Sequence, residues 1–162
     1  MTTILYPTRG GESAYLNQDW AVSLAKERGA NLLLLYVSNV HFLDHAASPV
    51  NLDLIEAELE ELGEFLLVMA LERVEKLGFT ADMAIRSGEF VTALEEVIVE
   101  RDVSVVVLGL PTDDTGITSE EYISGVARKL QKKCIVEVFV VGGGNVVLHL
   151  PPAVEAAPAN GE

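Results

Sequence analysis

The most constraining feature of this 162-residue sequence is a largely apolar run without polar alternation, NLLLLYV, over residues 31–37. A strand with one face in water alternates polar and apolar residues, so a strand without alternation is covered on both faces. A second run of this kind, VSVVVL, occupies residues 103–108. Such strands are typical of parallel sheets covered by helices on both faces. The sequence therefore predicts an α/β domain.

Strand-like and helix-like segments alternate along the chain. Strands are predicted at residues 4–6, 31–37, 80–86, 103–108 and 135–141, and helices at 12–28, 52–77, 89–100 and 120–132. Right-handed crossovers between such strands predict an open five-stranded parallel sheet with helices on both faces. The domain is expected to span residues 1–141. Residues 142–162, rich in Gly, Ala and Pro, are expected to form a flexible C-terminal tail.

The ligand site of such a sheet lies beyond the carboxyl ends of the strands, where the strand order reverses. With the order 3-2-1-4-5, the crevice is flanked by the loop at residues 7–11 and by the loop that starts at Gly109. Glycines in both loops allow backbone N–H groups to approach a phosphate, and the following helix directs its positive dipole end there. Glycines also make tight turns, so the pattern alone leaves both interpretations open.

Five short motifs together resemble the universal stress protein family. They are ILYPT at 4–8, LAK at 24–26 before GA at 29–30, RSG at 86–88, VVLG at 106–109 and SGVA at 124–127. The likeness extends in order over about residues 3–141. It implies an adenine-nucleotide-hydrolase-like fold with strand order 3-2-1-4-5 and homodimers paired through the fifth strand, residues 135–141. It also implies ATP binding for some members.

The nucleotide-binding members of that family carry two features from which this chain departs. They have an aspartate after the first-strand Pro-Thr, and a motif of Gly, two residues, Gly, nine residues, Gly, then Ser or Thr. Here Arg9 stands where the aspartate is expected, and Thr112 stands at the second glycine. Ser124 and Gly125 reverse the final pair after eleven intervening residues. We therefore expect ATP to bind weakly or not at all, without hydrolysis.

The candidate nucleotide crevice consists of eight residues: Thr8, Arg9, Gly10, Val37, Gly109, Thr112, Ser124 and Gly125. Arg9 has two interpretations. Its guanidinium can bind a phosphate at two points, or it can be a surface cation on an acidic protein. Binding of ATP or AMP by an altered loop is thus an alternative function.

Charge and composition disfavour several other classes. Eleven Lys and Arg against 25 Asp and Glu give a net charge of −14, which repels nucleic acid and anionic lipid. No apolar run is long enough to cross a bilayer and no signal-peptide pattern is present, so we expect a cytoplasmic protein.

The sequence has no Gly-x-Ser-x-Gly elbow, and Cys134 has no evident His partner. We expect a non-catalytic regulatory or ligand-sensing module in the stress response.

A flavodoxin-like FMN electron carrier is the second alternative, because residues 5–13 loosely resemble the phosphate loop of flavodoxins. Stacking on the flavin requires aromatic residues in the later loops, where only Phe90 is present.

We expect no metal site. His41 and His45 are four residues apart, but no third ligand of suitable spacing lies near them.

The segment at residues 51–78 combines helical periodicity with strong acidity. Apolar residues recur in steps of four and three at Ile55, Leu59, Leu62, Leu66 and Met69. The segment has eight Asp and Glu against one Arg and one Lys. Such charge is typical of a solvated helix face, and it is also what a basic protein partner requires.

Overall fold

The structure is a computed structural model that describes residues 2–9, 14–38, 52–110 and 119–153. Its strands are β1 Thr3–Pro7, β2 Asn31–Ser38, β3 Asp82–Ser87, β4 Val105–Gly109, β5 Glu137–Gly142 and β6 Asn145–Leu150. Its helices are α1 Tyr15–Arg28, α2 Leu52–Lys76, α3 Phe90–Glu100 and α4 Ser119–Cys134.

The strands form one sheet in the order β3-β2-β1-β4-β5-β6. The first five are parallel, which confirms the predicted α/β class and the order 3-2-1-4-5. The predicted number of five strands is wrong because a sixth strand, β6, pairs antiparallel with β5. Gly143 and Gly144 make the turn between them in the left-handed region, with φ of 58° and 82°. That backbone conformation suits glycine, which has no Cβ to clash.

The sixth strand corrects two expectations from the sequence. Residues 145–150 lie beyond the predicted domain boundary at residue 141, yet they belong to the sheet. The strand predicted at residues 135–141 was expected to be a sheet edge, whereas β5 has β4 on one side and β6 on the other. The homodimer through this segment stays a prediction, but its premise of a free β5 edge is not met.

The sheet separates two apolar cores, because successive strand residues point to opposite faces. On one face Ile4 and Tyr6 pack with α1 and α2. On the other face Leu5 packs with the buried residues of α3 and α4. Helices cover both faces, as the apolar run in β2 requires. In the described ranges no helix combines the length and the apolarity that a bilayer crossing needs.

The ends of the helices follow local chemistry. α1 ends at Gly29, whose φ of 61° lets its N–H and that of Ala30 bond carbonyls of the last turn. α3 begins after Glu89, whose carboxylate accepts hydrogen bonds from the backbone N–H groups of Val91 and Thr92. These bonds, the one from Val91 first, hold the pKa of Glu89 below its usual value.

Candidate functional site

The carboxyl ends of β1 and β4 lie side by side where the strand order reverses. β1 pairs with β2 on one side and with β4 on the other, so the chain leaves these two neighbouring strands toward opposite faces. This is the switch point at which α/β sheets bind ligands. Gly10 and Thr112, which the sequence places in the flanking loops, lie outside the described residues.

Thr8 and Arg9 follow β1 at this edge. Thr8 is buried, and its backbone N–H donates a hydrogen bond to the Leu35 carbonyl at 2.8 Å, which prolongs the pairing of β1 with β2. Arg9 is exposed. Its guanidinium is therefore accessible from solvent at the carboxyl end of the sheet, where a bound anion would lie.

Val37 lies on β2, two residues beyond Leu35, which pairs with Pro7. It is half-buried and packs against the core under α3 and α4. The neighbouring Ser38 is buried, and its hydroxyl lies 3.1 Å from the hydroxyl of Ser87 at the end of β3. At the β2 side of the crevice, the side chains of Val37 and Ser38 are therefore already engaged in contacts within the protein.

Gly109, at the end of β4, is confined by two side chains. A Cβ there would lie 3.1 Å from Nδ2 of Asn17 and 3.4 Å from the Tyr6 hydroxyl oxygen. The Tyr6 hydroxyl donates a hydrogen bond to the Ala14 carbonyl at 3.1 Å. Burial raises the pKa of Tyr6 far above its usual value, so the phenol keeps its proton. The small residue at position 109 thus serves the packing of β4 against α1.

Asn17 is the residue that sequence reasoning missed at this edge. It is 1% exposed, donates a hydrogen bond from Nδ2 to the Leu110 carbonyl at 3.3 Å, and accepts one from the Gly144 N–H at 2.9 Å. It therefore joins α1 to the end of β4 and to the β5–β6 turn. These partners are 93 and 127 residues away in the sequence, so no local pattern identifies the role.

Ser124 and Gly125 lie inside α4 and not at its start, as the helix predicted at residues 120–132 implies. α4 begins at Ser119, so both residues lie in its second turn. Only the first turn of a helix has N–H groups without intrahelical partners, so these two amides are committed to the helix. Gly125 is exposed, and a Cβ on it would meet nothing within 4 Å.

The first turn of α4 carries Glu120 and Glu121 instead. Carboxylates at a helix N-terminus interact favourably with its positive dipole end. Their negative charge also disfavours a phosphate at the same helix end.

The structure thus brings together only part of the predicted crevice. Thr8, Val37 and Gly109 lie at the carboxyl edge of neighbouring strands, with Arg9 exposed beside them. Ser124 and Gly125 lie within α4 and offer no free amide to the crevice.

Of the side chains considered as metal ligands or for stacking on a flavin, only Phe90 lies in the described part of the chain. His41 and His45 lie outside the described residues. In the described part of the chain no group of three or more His, Cys, Asp or Glu can hold a metal ion. Phe90 is partly buried against the core under α3 and α4, so its ring is engaged by the protein.

The chain is similar to known proteins both in its sequence family and in its fold. A family model described as the Universal stress protein family matches residues 1–142. The curated proteins give no match. Among solved structures, a universal stress protein family member from Burkholderia pseudomallei is 20% identical, with a TM-score of 0.64 over 86% of this chain and 95% of that one.

Two further similar structures contain nucleotides. A universal stress protein from Arabidopsis thaliana with AMP bound is 14% identical, with a TM-score of 0.59 over 88% of this chain and 92% of that one. A complex of the Archaeoglobus fulgidus protein with dAMP is 17% identical, with a TM-score of 0.57 over 86% of this chain and 97% of that one. At these identities the structural likeness shows the fold.

Proposed function

Because the chain belongs to the universal stress protein family, we propose that it is a non-catalytic, cytoplasmic ligand-sensing module in a stress response. Its crevice binds ATP weakly or not at all. Two similar structures hold AMP and dAMP, so adenine nucleotides are the ligand class to test first.

The observation that carries this proposal is the start of α4. Phosphate binding at a helix N-terminus depends on free N–H groups and on a positive dipole end that no other anion has neutralised. Here Glu120 and Glu121 place two carboxylates in that first turn. The expected phosphate-binding pair, Ser124 and Gly125, lies one turn further along, where the amides bond within the helix. Both facts weaken binding of a polyphosphate.

Arg9 supports a competing function, nucleotide binding in an altered pose. It is exposed at the carboxyl end of β1, and a guanidinium can bind phosphate oxygens at two points. In this alternative the phosphates turn away from α4 toward Arg9. Substitution of Arg9 by Ala then weakens binding, whereas substitutions in α4 leave it unchanged.

Calorimetric titration of the full chain with magnesium ATP and with AMP tests the proposal. We expect dissociation constants above roughly 100 µM for the unmodified protein. Replacing Glu120 and Glu121 together by Gln is expected to tighten ATP binding by about 3- to 30-fold, from about 0.3 to 1 kcal/mol per charge. The gain is expected to be smaller for AMP, which carries less charge.

The matched control replaces Glu72 and Glu75 by Gln, which removes two exposed charges from α2 and leaves α4 intact. An equal gain in this control means that net charge alone governs binding and that the argument from α4 is wrong. A low-micromolar dissociation constant for the unmodified protein contradicts the proposal directly. A yellow protein with flavin absorbance would favour the electron-carrier alternative instead.

A further inference from the structure

We propose that the outward face of α2 is a docking surface for an amphipathic helix that carries Lys or Arg beside its apolar residues. The surface, here called the α2 patch, consists of Leu62, Phe65, Val68 and Met69. Their exposed fractions are 47%, 60%, 47% and 42%. This inference is independent of the nucleotide crevice and does not rest on the proposed function.

The α2 patch is additional to the face that α2 already buries. Leu67, Ala70 and Val74 are at most 1% exposed and pack against the sheet. A surface helix normally has polar residues opposite its buried stripe. Here four large apolar side chains stand on the outer side instead. Contiguous exposed apolar residues within a polar surround are typical of protein interaction sites.

The spacing of the α2 patch fits a helix as the occupant. Leu62, Phe65 and Met69 are three and four residues apart, so they form a ridge along the helix surface. Such ridges pack into the grooves of a second helix. Phe65 has the largest exposed fraction of the four. Its aromatic side chain is of a type that is enriched in protein interfaces.

The charges that α2 itself carries around the α2 patch are negative. Between Leu54 and Glu72 the helix has six Glu and no Lys or Arg. The exposed acids nearest the patch are Glu58, Glu61, Glu64 and Glu72.

The next cation along α2, Arg73, is directed away from the patch. Its Nε and Nη2 lie 2.9 Å and 2.7 Å from the two carboxylate oxygens of Asp19 on α1. Its guanidinium also lies over the Tyr15 ring, 4.7 Å from the centroid. Arg73 therefore does not neutralise the acidic rim.

This charge decides between the possible occupants. A twofold dimer would place the same patch on both sides of the interface and bring one acidic rim against the other. An anionic membrane surface is repelled in the same way. A helix with Lys or Arg flanking its apolar residues complements both the apolar centre and the acidic rim, so it is the occupant that we infer.

Fluorescence anisotropy with the full chain tests the proposal. The probe is a labelled peptide of about 18 residues, built only from Leu and Lys with a helical apolar stripe, and its counterpart has Glu in place of Lys. We expect saturable binding of the Lys peptide and at least about tenfold weaker binding of the Glu peptide. Replacing Leu62 and Phe65 together by Ser is expected to weaken binding of the Lys peptide by at least about tenfold.

Val99→Ser is the matched control, because Val99 is an 80% exposed apolar residue on a different helix, α3. It is expected to leave binding unchanged. Failure of the Lys peptide to bind, or equal binding by the variant and the unmodified chain, overturns the proposal.

Two further outcomes assign the α2 patch to another occupant and also overturn the proposal. If residues 39–51 of the same chain cover it, Phe65→Ser lowers the thermal midpoint of unfolding, whereas an open surface leaves that midpoint unchanged. If a second copy covers it, sedimentation shows a dimer that Phe65→Ser dissociates.

Discussion

The side chain of Asn17 accepts a hydrogen bond from the backbone N–H of Gly144, with 2.9 Å between Oδ1 and N. The same side chain donates to the Leu110 carbonyl at 3.3 Å. A single buried amide therefore joins the crevice edge of β4 to the turn that starts β6. A substitution that removes the Asn17 amide therefore affects the end of β4 and the β5–β6 turn together.

We predict that Asn17→Ala lowers the free energy of unfolding by about 1 to 2 kcal/mol, because it leaves a half-buried backbone donor and a half-buried backbone acceptor without their partner. Denaturant unfolding measures this loss. The control is Asn145→Ala, since Asn145 is exposed and its side chain makes only a long 3.4 Å contact with the Gly143 carbonyl. The control is expected to cost less than about 0.5 kcal/mol. Equal costs for the two variants contradict the role assigned to Asn17.

Two glycines inside helices are predicted to respond to alanine in opposite directions. A Cβ on Gly63 in α2 would lie 2.4 Å and 2.8 Å from ring atoms of Tyr36, which is itself buried on β2. Gly63→Ala is therefore expected to destabilise the protein by about 1 to 3 kcal/mol, although alanine favours helix formation. A stabilised variant would show that α2 and β2 are not in close contact.

Gly125→Ala in α4 is the matched comparison. A Cβ there meets nothing within 4 Å, so only the helical preference of alanine acts. We expect a gain of about 0.5 to 1 kcal/mol in the free energy of unfolding. Calorimetric titration of the same variant is expected to show unchanged nucleotide binding. A loss of ATP binding would instead show that the absence of a side chain at Gly125 serves the ligand.

Glu137 is predicted to make stability dependent on acid pH. Its carboxylate accepts hydrogen bonds from Arg28, with 2.6 Å from Nη1 to Oε1 and 3.2 Å from Nη2 to Oε2. The hydrogen bonds from Arg28, and to a smaller extent the hydrogen bond with His149, hold the pKa of Glu137 below its usual value in the folded protein. The stabilisation is therefore fully present above the unfolded-state pKa, about 4.3, and is lost as the pH falls through the lower folded-state pKa.

We expect Glu137→Gln to lower the free energy of unfolding by about 1 to 2 kcal/mol at neutral pH, since Arg28 is partly exposed and the pair is partly screened. The difference between the variant and the unmodified protein is expected to shrink progressively below about pH 5. Glu96→Gln, at an exposed position on α3, serves as the control. A difference for Glu137→Gln that stays constant down to about pH 2 contradicts the ion-pair explanation.

The sequence predicts the parallel sheet well because its strongest signals are local. The apolar run in β2 requires cover on both faces, and the crossover rule then leaves few arrangements. The sixth strand is missed because Gly142, Gly143 and Gly144 suggest an irregular tail. Two strand-like runs separated by glycines are also a hairpin signal, and Val146 to Leu150 is such a second run.

The details of the candidate site and of α2 could not be predicted in the same way. The roles of Asn17 and Gly109 depend on contacts between residues far apart in the chain. On α2, the periodicity places Leu62 and Met69 in the same stripe as Leu66, but in the structure Gly63 packs against Tyr36 of β2, and Leu62 and Met69 are exposed. Sequence spacing shows which residues share a face, whereas packing decides which face is buried.

The homodimer through residues 135–141 is predicted to depend on whether β6 is present. Two copies of one edge strand related by a twofold axis perpendicular to the sheet pair antiparallel, which is how β6 pairs with β5 within this chain, from Val138 with Leu150 to Gly142 with Asn145. β6 therefore occupies the position that a second copy of β5 would take, and the two compete.

We predict that the chain ending at Gly142 dimerises more tightly than the full chain, because it exposes the N–H and C=O groups of β5. The control ends at Ala153 and keeps β6. Sedimentation velocity measures the self-association of all three proteins, each against its own chain mass, which is 17.5 kDa for the full chain. A dimer of equal strength in all three proteins would show that self-association uses a surface other than β5.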